Sequence, residues 1–153
     1  MDKLKFKKDI IRNAEWFVEQ KEADFNKEID RMKESAVYEP AEQDSMGEKS
    51  QDEELRTEIT RLNQEMNFAH EQLLHLVGLE KRASLLDRVE PGAIVETDKG
   101  TFFISVAIDD FELEGEKIYC ISPEAPIYKE MVGKQKGDHF TFRDKKYRIK
   151  ELF

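Results

Sequence analysis

The stretch Tyr38-Glu-Pro-Ala-Glu-Gln-Asp-Ser-Met-Gly-Glu-Lys-Ser-Gln-Asp-Glu-Glu54 separates two long segments that have helical periodicity. It carries seven carboxylates against the single cation Lys49, a local charge of −6 in a chain whose formal net charge is −9. The helix-breaking residues Pro40 and Gly47 lie inside it. We therefore predict that residues 38–50 form the tip of a helical hairpin. A solvated turn is the ordinary explanation of such a charge run, and a tip that does chemistry is the alternative.

The segment before the tip repeats its apolar residues at a spacing of seven, which is typical of a coiled-coil seam. The repeating residues are Leu4, Ile11, Val18, Phe25 and Met32. This pattern predicts a helix over residues 3–36. We expect Trp16 and Phe17 to pack on or near the seam.

The segment after the tip alternates apolar spacings of four and three from Leu55 to Leu76, which predicts a second helix over residues 50–78. Two helices with one apolar seam each, joined by a short polar turn, pair antiparallel. Residues 1–79 are therefore interpreted as a hairpin in a monomeric protein. Parallel dimerisation of the two helices is the alternative, and the helix breakers in the middle argue against it.

Beyond a connector at residues 80–88, the helical pattern gives way to short segments rich in β-branched and aromatic residues, which are typical of strands. The predicted strand segments are residues 89–95, 101–107, 117–122, 139–143 and 147–153. Asp144-Lys145 is the predicted tight turn between the last two, and residues 122–134 are predicted to form a loop and a short helix. The fold class is α+β, with a long antiparallel coiled-coil hairpin followed at residues 89–153 by an antiparallel sheet covered by one helix.

Composition excludes several classes of protein. No apolar run of about 18 residues exists, so no membrane span is expected, and the N-terminus lacks the features of a signal peptide. The single cysteine, Cys120, excludes an internal disulfide, is expected in the core, and indicates the reducing cytoplasm. Because the chain is acidic, a large basic surface that binds nucleic acid is not expected, and any contact with nucleic acid should be local.

Three motifs in the C-terminal part resemble the FKBP-like domain of bacterial Gre transcript-cleavage factors. They are Val89-x-Pro-Gly-Ala-x-Val95, Ile121-Ser-Pro-x-Ala-Pro-Ile127 and Val132-Gly-Lys-x-x-Gly-Asp138, and the segment Tyr147-Arg-Ile149 completes the match. The N-terminal hairpin is also a feature of this family, so the resemblance covers essentially the whole chain. It implies a transcription elongation factor that binds bacterial RNA polymerase, with the hairpin in the secondary channel of the enzyme. It does not imply an enzyme in its own right.

In the Gre family, two acidic tip residues help to hold a Mg²⁺ ion at the polymerase active centre, so that the polymerase hydrolyses its own backtracked RNA. The family tip reads Gly-Asp-x-x-Glu-Asn-x-Glu-Tyr, and Asp44 of this chain matches its Asp. Glu48 is the second candidate, four residues later rather than three, and the family Asn and Tyr are absent. The resemblance implies catalytic and metal-binding roles for Asp44 and Glu48, with Mg²⁺ shared with the polymerase. Glu39 and Glu42 are the alternative pair, and a Gre-like regulator that binds without cleavage is the alternative function.

The resemblance also implies two contact surfaces. The docking surface for the polymerase is expected on exposed residues in and before the short helix: Ser122, Pro123, Pro126, Ile127, Tyr128 and Met131. These residues could instead simply form a strand-to-helix turn. Arg56, on the second helix near the tip, is a candidate for contact with the transcript RNA near its 3′ end, although its plain explanation is a solvated helix face.

Two rival functions come from other classes. An FKBP-like domain could be a peptidyl-prolyl isomerase or chaperone, which would need a proline pocket lined by aromatic residues such as Phe102, Phe103, Tyr119 and Phe140. A purely structural coiled-coil adaptor is the other rival. The three histidines, His70, His75 and His139, have no metal-binding spacing.

Overall fold

A computed structural model of the chain describes residues 2–38 and 46–153, and the side chains of residues 2–35 and 51–153. It divides into two compact units. One contains the residues up to Glu15 together with Leu74–Phe153, and the other is Trp16–Leu73. The ends of both long helices are thus grouped with the strands, which the sequence pattern did not anticipate.

The two predicted helices are present and longer than expected. Helix α1 is Lys3–Tyr38 and helix α2 is Met46–Lys81, each of 36 residues. Helix α2 begins four residues earlier than predicted, so Gly47 lies inside it rather than in the turn. The many carboxylates at this end favour a helix here, because negative charge near a helix N-terminus is stabilised by the helix dipole.

In the unit Trp16–Leu73 the helices are antiparallel. Glu22 of α1 contacts His70 of α2, and Glu28 interacts electrostatically with Glu58, so residue numbers rise along one helix as they fall along the other. The buried apolar residues of this seam are Val18, Ile29, Leu62 and Ala69.

Trp16 and Phe17 are predicted to pack on the seam or near it, and neither is buried in the seam. Trp16 is 54% exposed and Phe17 is 40% exposed, with their rings edge to face at 5.1 Å. Val18 occupies the seam at this level, and Trp16 lies about 200° away from it around the helix. The seven-residue repeat therefore identifies the buried stripe correctly, and the neighbouring aromatic residues lie outside it.

The sheet in the other unit has six strands in the order β3-β4-β2-β1-β6-β5. The strands are β1 (Ile94–Thr97), β2 (Gly100–Ile104), β3 (Phe111–Leu113), β4 (Glu116–Ile121), β5 (His139–Phe142) and β6 (Lys145–Leu152). A short helix, α3 (Pro126–Met131), lies between β4 and β5 in the chain. The α+β class is therefore confirmed.

The sheet is mixed, whereas the prediction was fully antiparallel. Strands β2 and β4 pair parallel, with Phe102 opposite Tyr119, and the other pairs are antiparallel. The cause is β3, a three-residue strand that was not predicted. The chain leaves β2, forms β3 at the sheet edge and turns back at Glu114-Gly115, both with positive φ, so that β4 enters beside β2 in the same direction.

Each face of the sheet is covered within its own unit. On one face, Tyr128 and Met131 of α3 join a core cluster. The other members of that cluster are Val89, Ala93, Val95, Phe102, Ile104, Phe140, Ile149 and Leu152. On the opposite face lie Phe103 and Phe153, both buried, and Phe6 of α1 packs with its ring centroid 6.2 Å from that of Phe153.

Lys7 is a buried cation in the same unit. Its side chain is 3% exposed, and its Nζ donates a hydrogen bond to the carbonyl oxygen of Ser84 at 2.8 Å. Burial lowers the pKa of Lys7 to about 8, and the Glu90 carboxylate opposes part of that shift. The ammonium ion thus costs the folded state free energy at neutral pH, because a charge removed from water is unfavourable.

Lys7 is expected to make stability rise with pH between about pH 8 and pH 10.5. In that window the unfolded chain binds a proton at Lys7 that the folded chain does not, so the free energy of unfolding increases with pH. The difference in urea midpoint between the natural protein and Lys7→Met should therefore change across the window. Exposed Lys27→Met is the matched control and should follow the natural protein.

The buried thiol of Cys120, whose pKa is raised to about 12, acts in the opposite direction at high pH. This contribution of Cys120 is the same in the natural protein and in Lys7→Met, so it cancels in the difference between their urea midpoints. Parallel pH profiles of Lys7→Met and the natural protein would contradict the assignment to Lys7.

Candidate functional site

Two of the three motifs that carry the family resemblance, residues 89–95 and 132–138, meet at the backbone of Val89. Its N–H donates to the carbonyl oxygen of Lys134, and its own carbonyl accepts from the N–H of Gly133, both at 2.8 Å. Gly92, with φ of +96°, donates to the carbonyl of Ile104 at 2.7 Å. A positive φ favours glycine. These motif residues therefore maintain turns of this unit.

The segment before α3 is a tight turn that begins the helix. The Ala125 N–H donates to the carbonyl of Ser122 at 3.0 Å, and the hydroxyl of Ser122 accepts from the N–H of Glu124 at 3.3 Å. Pro126 follows at the first helical position, where its missing N–H costs nothing. Pro123 and Pro126 are exposed, and Ser122 and Ile127 are partly buried. These four residues stay candidates for contact with a partner.

The expected exposure of Tyr128 and Met131 is wrong. Met131 is 0% exposed, and Tyr128 is buried with it in the core cluster. The two lie three residues apart on α3, which places them on the same side of the helix, and that side faces the sheet. The exposed apolar residue here is Val132, at 51%, which follows the helix directly. A surface for a partner at this helix would therefore use Pro123, Pro126 and Val132.

The acidic tip is only partly within the described chain. Asp44, Glu39 and Glu42 lie outside the described residues. Glu48 lies in the first turn of α2 by its backbone, and its side chain is not described. The predicted roles of all four acids stay predictions.

Of the basic residues nearer the tip, two are neutralised by their own helix. Arg31 pairs with Glu28, and Arg61 pairs with Glu58 and Glu65. Arg56 is exposed, and no ion-pair partner for it lies among residues 2–35 and 51–153. The predicted contact of Arg56 with RNA stays a prediction.

An open polar groove of about 320 Å³ crosses the middle of the sheet, and sequence reasoning missed it. Glu96, Glu116, Thr101, Tyr119 and Lys150 are among the residues that line it. The hydroxyl of Thr101 donates to Oε2 of Glu116 at 3.3 Å, whereas Oε1 of Glu96 is buried without a hydrogen-bond partner in the described chain. Burial raises the pKa of Glu96, and the carboxylates of Glu116 and Glu151 add to the shift. No periodicity marks these residues, because they come from four different strands.

The aromatic residues suggested for a proline pocket do not share one face. Phe102 contacts Tyr119 at 5.5 Å between ring centroids, and Phe140 stacks on Tyr147 at 4.8 Å. Phe103, by the alternation of strand β2, points to the opposite face. Phe102 and Phe140 are also buried in the core cluster. Tyr119 and Tyr147 pack against this cluster and are only partly buried. The isomerase hypothesis would therefore need a pocket built from these two tyrosines.

Metal-binding groups of three or more His, Cys, Asp or Glu residues are absent among the side chains of residues 2–35 and 51–153. Nδ1 of His70 lies 2.9 Å from Oε1 of Glu22, and Cys120 is buried as expected. No helix in the described parts of the chain combines the length and apolar character needed to cross a membrane.

Comparisons with protein-family models, with curated proteins and with solved structures gave no match to this chain. The Gre-like resemblance thus rests on the motifs and on the order of the elements.

Proposed function

We propose that this protein is a Gre-like transcription elongation factor that binds bacterial RNA polymerase through the secondary channel. In this proposal the sheet domain is FKBP-like and docks on the enzyme surface, and the hairpin brings Asp44 and Glu48 to the catalytic Mg²⁺. The polymerase then cleaves its own backtracked RNA. The protein supplies carboxylate oxygens, which are the ligands that Mg²⁺ prefers.

The observation that carries the proposal is the pair of long helices with an acidic segment between them. Each helix has 36 residues, which corresponds to a length of about 54 Å. Only residues 39–45 separate them, and the helices run antiparallel in the unit Trp16–Leu73. A hairpin of two helices is narrow enough to enter a pore, and its length suits delivery of an acidic segment to an active centre inside a channel.

A Gre-like regulator that binds the channel without cleavage is the second candidate. The four-residue spacing of Asp44 and Glu48 favours it, because it departs from the spacing of three in the family, and in a helical segment one extra residue would turn the side chain by about 100°. Both candidates need the same partner and differ only in the chemistry of the tip. The isomerase and adaptor hypotheses do not need the polymerase at all.

Binding of the full-length chain to core RNA polymerase tests both candidates together. We expect saturable binding of the labelled chain, and we expect Val132→Glu to weaken it about tenfold, which is about 1.4 kcal/mol. A charge placed in the exposed apolar surface beside α3 would be desolvated on docking. The matched control is Leu85→Glu, at another exposed apolar residue. Absence of binding by the natural chain would overturn the proposal and promote the adaptor or isomerase hypothesis.

A further inference from the structure

The segment from residue 134 to residue 150 is strongly basic in an acidic protein. It contains seven lysines and arginines against two aspartates, a net charge of +5 in a chain of net charge −9. The proposed function does not use this concentration of charge. It belongs mostly to the hairpin of β5 and β6.

The strand geometry gathers part of this charge on one surface. Lys146, Arg148 and Lys150 alternate along β6 with Tyr147 and Ile149, which pack against or within the core cluster, so the three cations point away from that cluster. On β5, His139 lies opposite Arg148 and Thr141 opposite Lys146. Residues directly opposite each other in an antiparallel pair share a face. All five side chains are exposed, and we name them the basic face: His139, Thr141, Lys146, Arg148 and Lys150.

The three cations of the basic face are not neutralised by their neighbours. Among residues 2–35 and 51–153, Lys146, Arg148 and Lys150 have no side-chain ion pair, and Glu96 interacts with Lys150 only beyond ion-pair distance. Glu96 and Glu116 line the same groove as Lys150, whereas the acids Asp98 and Glu151 are engaged by other groups. Asp98 binds Lys99 and accepts from the backbone N–H of Arg148 at 2.9 Å.

Glu151, the next acid along β6, is held by two other lysines. It binds Lys3 and Lys136, both at 2.6 Å. Lys136 and Lys3 together lower the pKa of Glu151 to about 2, so its charge persists at neutral pH and is already matched. The positive potential of the basic face therefore remains available to an external anion.

We propose that the basic face binds the phosphodiester backbone of a nucleic acid. Alternate side chains on a strand are about 6.6 Å apart, which is the regular spacing of Lys146 and Arg148, and Lys150 follows at the register shift between β6 and β1. Several cations along one strand suit a linear polyanion. The face presents no apolar or aromatic side chain. A protein partner would normally need such an anchor, since protein interfaces are depleted in lysine and have an apolar centre. Nucleic-acid interfaces are polar and positively charged, which matches the composition of this face.

The acidic balance of the whole chain limits this contact to a local and weak one. Sequence-independent backbone contacts of this kind have Kd values on the order of 10⁻⁴–10⁻⁶ M. Three neutralised phosphates should weaken binding roughly 20- to 40-fold between about 50 mM and 200 mM salt, for single and double strands respectively. The proposal does not depend on the polymerase, because the purified chain alone should bind.

The test is fluorescence anisotropy of labelled single-stranded RNA, single-stranded DNA and duplex DNA with the full-length chain. We expect the triple variant, in which Lys146, Arg148 and Lys150 are all replaced by Gln, to weaken binding at least tenfold. The slope of log K against log salt concentration should become smaller by about 2 to 3. The matched control is Lys27→Gln with Lys33→Gln and Lys129→Gln, which makes the same change in net charge at exposed positions elsewhere. The control should stay within about twofold of the natural chain.

Three outcomes would overturn the proposal. One is equal loss in both triple variants, which would indicate a net-charge effect. Another is equally tight binding of polyglutamate, which would indicate an acidic protein partner. The third is no binding of any strand at about 50 mM salt. Far-ultraviolet circular dichroism of the variants, together with an intermediate loss for the single variant Arg148→Gln, separates lost contacts from lost folding.

Discussion

In a stalled, backtracked elongation complex, Asp44→Asn combined with Glu48→Gln is expected to slow factor-stimulated RNA cleavage about 100-fold or more. The two amides keep the shape of the side chains and remove the charge that would hold a second Mg²⁺. A metal ion that activates the water and stabilises the leaving oxygen is worth several kcal/mol, and each 1.36 kcal/mol is about tenfold in rate. The measurement is the rate of release of short 3′ RNA fragments at saturating factor.

The matched control for the tip is Asp52→Asn combined with Glu53→Gln, which removes the same charge further along α2. This variant should cleave within about threefold of the natural protein, because in the proposal these two acids do not bind the Mg²⁺ and their exposed charges are partly screened by salt. The double variant Glu39→Gln and Glu42→Gln tests the alternative pair. If it lost cleavage and the Asp44 and Glu48 variant did not, the metal ligands would be Glu39 and Glu42. Binding of the natural protein without any stimulation would favour the regulator that does not cleave.

Met131→Ala is expected to lower the free energy of unfolding by about 2–5 kcal/mol. The side chain is 0% exposed, and its removal would leave a cavity between α3 and the sheet. Urea denaturation monitored by circular dichroism measures the effect. Polymerase affinity, measured where the variant is fully folded, should be unchanged, since this side chain lies beneath the surface.

Val132→Ala is the control for Met131→Ala, because Val132 is the next residue and is 51% exposed. It should change the free energy of unfolding by no more than about 0.5 kcal/mol. If Met131→Ala instead left stability intact and weakened polymerase binding, Met131 would be a docking residue in solution. The burial of α3 described above would then be wrong for the free protein.

The helical part of the fold could be predicted because its signal is repeated over many turns. The seven-residue repeat placed Ile11 and Val18 in buried positions, and both are buried. Periodicity could not place Trp16 and Phe17, since aromatic residues beside a seam are exposed or buried according to what lies across from them. The start of α2 could not be predicted from Gly47 either. Glycine destabilises the interior of a helix, whereas Gly47 is the second residue of α2.

The sheet could be predicted in its longer strands and not in its pairing. Strand β3 has only three residues, Phe111–Leu113, which are too few to show an alternating pattern. Without β3, the chain would pass directly from β2 to β4, and an antiparallel pairing of these two strands would be expected. The groove around Glu96 has the same cause, since its residues are neighbours only after the strands have been put in their correct order.

The unit that contains the sheet is assembled from residues up to Glu15 and from Leu74–Phe153, with residues 16–73 between them in the chain. During synthesis, the contact between the rings of Phe6 and Phe153 therefore cannot form until residue 153 has been added. The helical segment can pair locally long before that. A truncated form that starts after the connector would lack Phe6, Ile10 and Ile11 and would expose one side of its sheet to water, so attempts to express the sheet alone should favour aggregation.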